Sequence, residues 1–153
     1  MHSSVDHGRN GARVSAPGYT DVEPGLRLPD REFAVGRRDL VRYAGASGDL
    51  NPIHWNERAA NEAGLPGVIA HGMLTMGLAA RTVTEWTGGP DAIAGYRVRF
   101  RRPVQVPDSG QTLVVVSGVV TEKLEGRRVT VELTVRCGPT KVLTAAKVVV
   151  QMP

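Results

Sequence analysis

The chain has 153 residues, a net charge of +4, 41% hydrophobic and 22% charged residues, and one cysteine, Cys137. That length fits one domain with a real core. A single cysteine excludes an intrachain disulfide and a cysteine metal cluster. The longest apolar run, Leu113 to Val120, is too short to span a bilayer.

Residues 1–20 are rich in Gly, Ser, Arg and His without an apolar period, and are expected to form a flexible tail ahead of a domain over 21–153. The start of the chain lacks the apolar stretch of a signal peptide, which points to a cytoplasmic protein. A strand is expected around Leu26 to Val35, ended by Gly36, then a short helix from Arg37 to Ala46 closed by glycines. A second short helix, Glu57 to Ala63, stops at Gly64-Leu65-Pro66-Gly67.

The longest helical pattern runs from His71 to Trp86. Met73, Met76, Ala80 and Val83 fall on one face, Leu74 and Leu78 on the next, so the helix is expected to be buried on most sides until Gly88-Gly89-Pro90 stops it. Strand grammar follows: Ile93 to Val104, Thr112 to Glu122, Arg128 to Arg136 and Lys141 to Gln151. In the third of these, Val129, Val131, Leu133 and Val135 alternate with Arg128, Thr130, Glu132, Thr134 and Arg136. The short connections favour antiparallel neighbours. The fold class is therefore α+β: a five-stranded antiparallel sheet whose apolar face is filled by one long helix, with an overhanging loop-helix segment.

Between the first two helices lies Gly48-Asp49-Leu50-Asn51-Pro52-Ile53-His54-Trp55-Asn56. A carboxylate and an imidazole five positions apart suit proton transfer near neutral pH. The plainer reading makes Asp49 a turn residue and His54 a packed surface histidine. Pro52 biases Asn51 away from helix and sets the loop's direction; Asn51 either orients a water or, the preferred reading, braces the loop.

This stretch, extended back to Tyr43, resembles the signature of MaoC-like proteins and (R)-specific enoyl-thioester hydratases. Ile69-Ala70-His71-Gly72-Met73-Leu74-Thr75-Met76-Gly77 is similar to a second family block, and Val98-Arg99-Phe100 with Pro103-Val104 to a third. The resemblance covers roughly residues 25–150, with Gly110-Gln111 standing where the family usually has Gly-Asp. Among relatives it is nearest the catalytic subunits of mycolic-acid-type (3R)-hydroxyacyl-ACP dehydratases.

The resemblance implies a hot-dog fold, a sheet wrapped round a central helix. It also implies a reversible conversion of trans-2-enoyl to (3R)-hydroxyacyl thioesters of CoA or an acyl carrier protein. Asp49 and His54 then hold and activate water, and the Gly72 N–H binds the thioester oxygen. No cofactor or metal is expected: there is no Gly-rich phosphate loop and no metal-ligand cluster in the spacing. The partner is a second hot-dog subunit, as a homodimer or heterodimer. The alternatives are a non-catalytic partner subunit or a thioesterase, which the hydratase block disfavours.

His71 reads as a structural histidine bracing the helix start, and Ser47 and Thr75 as polar fillers rather than nucleophiles. Arg97, Arg99 and Arg101 share a strand face and, with Arg102, form a basic stripe. The stripe is either a solvated face or a landing site for carrier phosphates. With 5% aromatics and no basic-aromatic platform, nucleic acid is not expected as a partner, nor is a membrane.

Overall fold

The computed structural model describes residues 16–153. Most of the expected tail lies outside them. Within them, Tyr19–Asp21 form a 3-10 turn, and the Tyr19 hydroxyl donates to the Leu124 carbonyl at 3.3 Å. The Tyr19 side chain thus reaches the end of the strand Thr112–Leu124.

The elements follow the expected order: β1 (Arg27–Val35), α1 (Arg37–Ser47), α2 (Glu57–Glu62), α3 (Gly72–Thr87), β2 (Ile93–Phe100), β3 (Thr112–Leu124), β4 (Arg128–Cys137) and β5 (Thr140–Gln151). The strands form one antiparallel sheet in the order β1-β3-β4-β5-β2. β4 alternates as its sequence demands, with Val129, Val131, Leu133 and Val135 buried; Thr130 is buried as well. The sheet curls round α3, which is the hot-dog arrangement.

The helix buries a different face from the one its largest side chains suggest. Thr75, Ala79, Thr82 and Val83 are buried, whereas Met73 is 58% exposed. Short and β-branched side chains let the helix approach the curved sheet closely, and dispersion contacts reward that approach. The methionine side is left projecting from the single chain.

β2 also stops short of Val104. The N–H groups of Arg101 and Arg102 both reach the Val142 carbonyl, and Pro103 has no N–H to continue the ladder. The chain then leaves the sheet and pairs with residues 68–70: Ala70 N–H donates to Val104 O at 2.8 Å and Val106 N–H to Val68 O at 2.9 Å. Val68, Ala70, Val104 and Val106 are all buried, so this crosspiece belongs to the core.

Two devices hold the overhang. Gly36 opens α1 with its N–H donating to Asp39 Oδ2 at 2.9 Å, and Gly48 ends it in the left-handed conformation, φ 76°, with its N–H on Ala44 O. Leu40 and Ala44 are the buried face of α1. Arg37 then ties three pieces together: its Nε donates to Val106 O and Pro107 O at 2.9 and 3.1 Å, and its Nη2 to Glu57 Oε2 at 2.6 Å. Among the described residues no helix is long and apolar enough to cross a membrane.

Candidate active site

The loop after α1 is built from consecutive side-chain-to-backbone turns. Ser47 Oγ accepts from Asp49 N–H, Asp49 Oδ1 from Asn51 N–H, and Asn51 Oδ1 from Ile53 N–H, each at 3.2 Å. Asn51 thus braces the loop. Pro52 stands first in a 3-10 turn, Pro52–His54, where its missing N–H costs nothing. The turn carries His54 inward to 7% exposure.

His54 Nδ1 lies 2.8 Å from the Ile69 carbonyl. A carbonyl can only accept, so Nδ1 carries a proton, and in the neutral ring Nε2 holds the bare lone pair. That nitrogen faces Asp49 Oδ2 at 3.9 Å. The separation is too long for a direct hydrogen bond but short enough for one water to contact both atoms from the side.

His71 completes the cluster. Its ring stacks on His54 with centroids 3.8 Å apart and planes 24° from parallel, and Tyr43 tilts against its other side at 4.8 Å. His71 Nε2 donates to the Asp49 carbonyl at 3.1 Å. It stands at the N-cap of α3 without a side-chain hydrogen bond to the helix. Its Nδ1 is buried without a hydrogen-bond partner among the described residues. Burial holds the His71 pKa below the ordinary 6.5; nearby His54 lowers it further, against the raising effects of the Asp49 carbonyl and carboxylate.

This depression has a consequence for stability. Well above pH 6.5 the ring is neutral in both folded and unfolded chains. Below it the unfolded chain takes up a proton that the folded chain resists, so stability falls with pH. Denaturant titrations between pH 7.5 and roughly pH 5 should show this loss in wild type and a flatter profile in His71→Gln. Parallel profiles would show that His71 does not carry the effect.

His54, Gly72, Thr75, Phe100, Arg101 and Arg102 are among the residues that line a cavity of about 300 Å³. Gly72 begins α3, where the first N–H groups have no intrahelical acceptor. A Cβ at Gly72 would stand 3.1 Å from the Phe100 ring, so glycine keeps this wall open. A larger hollow, about 670 Å³, lies between β1, α1 and α3 over Phe33, Tyr43, Leu74 and Leu78. His54 lines only the smaller of the two, and the larger is rimmed by charged residues of β1, α1 and α3 such as Arg31, Asp39, Arg42 and Glu85.

The basic stripe divides. Arg101 and Arg102 line the cavity with His54, whereas Arg97 and Arg99 lie exposed along β2. Folding also creates a donor cluster that spacing along the chain does not reveal: Asp49, His54 and His71 each offer a ligand atom within 4.8 Å of the others. One nitrogen of each imidazole is already committed to a carbonyl, and stacked rings hold their lone pairs in near-parallel planes instead of converging on one point. The set suits proton transfer better than coordination. Tyr43 and the reach of His71 to Asp49 escaped the sequence reading; the aromatic six positions before Asp49 on α1 is the signal that could have found the first.

Residues 22–137 match the family model "MaoC like domain". The chain is 36% identical over 90 residues to the (R)-specific enoyl-CoA hydratase of Rhodospirillum rubrum, covering 58% of this chain and 62% of that protein's length. Among solved structures it is similar to R-hydratase PhaJ1 from Pseudomonas aeruginosa, with TM-score 0.77, 28% identity, and 89% and 85% of the two chains covered. A chain of the ChsH1-ChsH2 complex from Mycobacterium tuberculosis superposes with TM-score 0.75 at 26% identity, over 86% of this chain and 98% of that one. A family model spanning most of the chain, on a sheet wrapped round α3, leaves one conclusion: the chain belongs to the MaoC-like domain family.

Proposed function

We propose that the protein interconverts trans-2-enoyl and (3R)-hydroxyacyl thioesters by adding or removing water. The observation that carries this reading is the single bare nitrogen of His54, opposite the Asp49 carboxylate and in one cavity with Gly72. In the hydration direction a water contacts both Asp49 Oδ2 and His54 Nε2. His54 takes one of its protons as the oxygen bonds to the β-carbon. The electron pair of the double bond moves toward the thioester carbonyl, whose oxygen gains charge beside the Gly72 N–H at the start of α3. Asp49 holds the water, takes over the proton that His54 gained and delivers it to the α-carbon, which returns both groups to their starting state and adds the elements of water across the double bond. Dehydration is the same path reversed.

The likeness to an (R)-specific enoyl-CoA hydratase supports the substrate class. Arg101 and Arg102, at the wall of the cavity, are suited to the phosphates of CoA or of a carrier protein's phosphopantetheine. Replacing both by alanine is expected to raise KM for a CoA thioester about tenfold, roughly the 1.4 kcal/mol of a modest charged contact, with kcat little changed. Steady-state kinetics at two salt concentrations checks this; an unchanged KM would remove the pair from carrier binding.

A second hot-dog subunit is the proposed partner. Met73 and Phe100, 58% and 54% exposed beside the cavity, form apolar surface suited to it, and a structural neighbour is a two-subunit complex. A homodimer is the simpler case, because this chain carries both Asp49 and His54.

The test is loss of enoyl absorbance when purified protein meets a short trans-2-enoyl-CoA, with chiral analysis of the product. Formation of the 3R alcohol is expected. The 3S alcohol, or thiol release without hydration, would overturn the reading.

A further inference from the structure

His71 is 1% exposed, yet its polar atoms do little for the fold. It forms no side-chain cap on α3, and among the described residues its Nδ1 has no partner. A buried nitrogen without a partner is costly, and a phenylalanine would fill such a space without that cost. The hydrogen bond that the side chain does make goes to the backbone carbonyl of Asp49 at 3.1 Å, and its broad ring contact is with His54 at 3.8 Å. Its own backbone runs directly into Gly72. One residue therefore touches the proposed acid, the proposed base and the proposed oxyanion donor.

We propose that His71 is the positioning residue of the acid–base pair, holding Asp49 in reach of His54 by gripping its backbone carbonyl. This rests on the reading of Asp49 and His54 given above and extends it. The grip matters because Asp49 is the exposed member of the pair, its side chain 51% accessible, in the part of the loop ahead of the bonds that tie Ile53 and His54 to Ile69. His71 is the tie from that loop to the start of α3. Because the Asp49 carbonyl only accepts, Nε2 must hold the proton, and the ring serves as a neutral donor. The groups that face it are Tyr43 from α1 and Asp49 and His54 from the loop. Burial and His54 both disfavour a charge on it, so His54 can gain a proton during turnover without a second cation stacked against it.

Glutamine and methionine separate this role from mere filling, since they match in length and flexibility and differ in the amide donor. With enoyl-CoA as substrate, His71→Met should lose kcat by about 10²-fold, the scale expected for a displaced catalytic group, with KM within about threefold. His71→Gln should stay within about tenfold of wild type, because its amide can still reach the Asp49 carbonyl. Circular dichroism and thermal melting establish folding. Equal kcat losses in the two variants, or a loss confined to KM, would overturn the proposal. Should His71→Met fail to fold, His71→Gln decides: activity within tenfold supports the grip, and a loss beyond 10²-fold refutes it. His54→Ala run beside them assigns any failure. If it is as active as wild type, the acid–base reading and this inference fall together. If it is inactive while Gln and Met behave alike, this inference alone is wrong.

Discussion

Replacing His54 by alanine is expected to lower kcat by about 10²–10⁴-fold, the usual contribution of a positioned acid–base group. Asp49→Asn should fall in the same range with little change in KM. The asparagine variant is the more informative of the two. Its Oδ1 can still accept the Asn51 N–H, so the turn that shapes the loop survives. What it loses is the charge and basicity facing His54 Nε2. His54→Ala removes the ring that stacks on His71 and the bond to Ile69, so circular dichroism must accompany its kinetics. Steady-state rates with a trans-2-enoyl-CoA provide the measurement. If folded Asp49→Asn kept wild-type kcat, the carboxylate would be a turn residue and nothing more. The double variant adds a further check: two groups acting on one water should give losses well short of multiplicative.

Leu40→Ala should produce the largest loss of stability for a conservative change, about 2–5 kcal/mol. Leu40 is fully buried on α1, the helix that delivers the Asp49 loop. For a domain with roughly 5–15 kcal/mol in total, that is a large fraction. Val41→Ala, one position along and 61% exposed, should stay within about 0.5 kcal/mol. Urea unfolding of both variants measures the contrast. Similar midpoints for the two would mean that α1 contributes little to the core, and that the loop's position is set by Arg37 and the crosspiece instead.

The strands were legible because each alternates or is punctuated by its own residues, β4 most cleanly. Helix ends were legible at Gly48 and at Gly88, where left-handed glycines close α1 and α3. The candidate pair was visible because Asp49 and His54 lie within one short loop. What stayed hidden depends on partners far along the chain. The buried face of α3 follows from the curvature of a sheet assembled mostly after it, which selects small residues over large apolar ones. The basic stripe splits because Pro103 and two N–H groups sharing one carbonyl turn the chain out of the sheet. The tautomers of His54 and His71 are dictated by the carbonyls of Ile69 and Asp49. Every residue has such a carbonyl, so sequence marks none of them as special.

The crosspiece of residues 68–70 carries a consequence for how this chain can vary. It is stitched on one side to residues 104–106, and on the other to the histidine turn, through Ile69 N–H on Ile53 O at 3.3 Å and Ile69 O on His54. An extra residue inserted between Phe100 and Val106 would shift that stitching and drag the base out of line along with the arginines at the cavity wall. An insertion at Asp108–Gly110, exposed and beyond the last stitch, would not. Changes in the length of the loop are therefore tolerable on its far side and disabling on its near side, although both belong to one connection between β2 and β3.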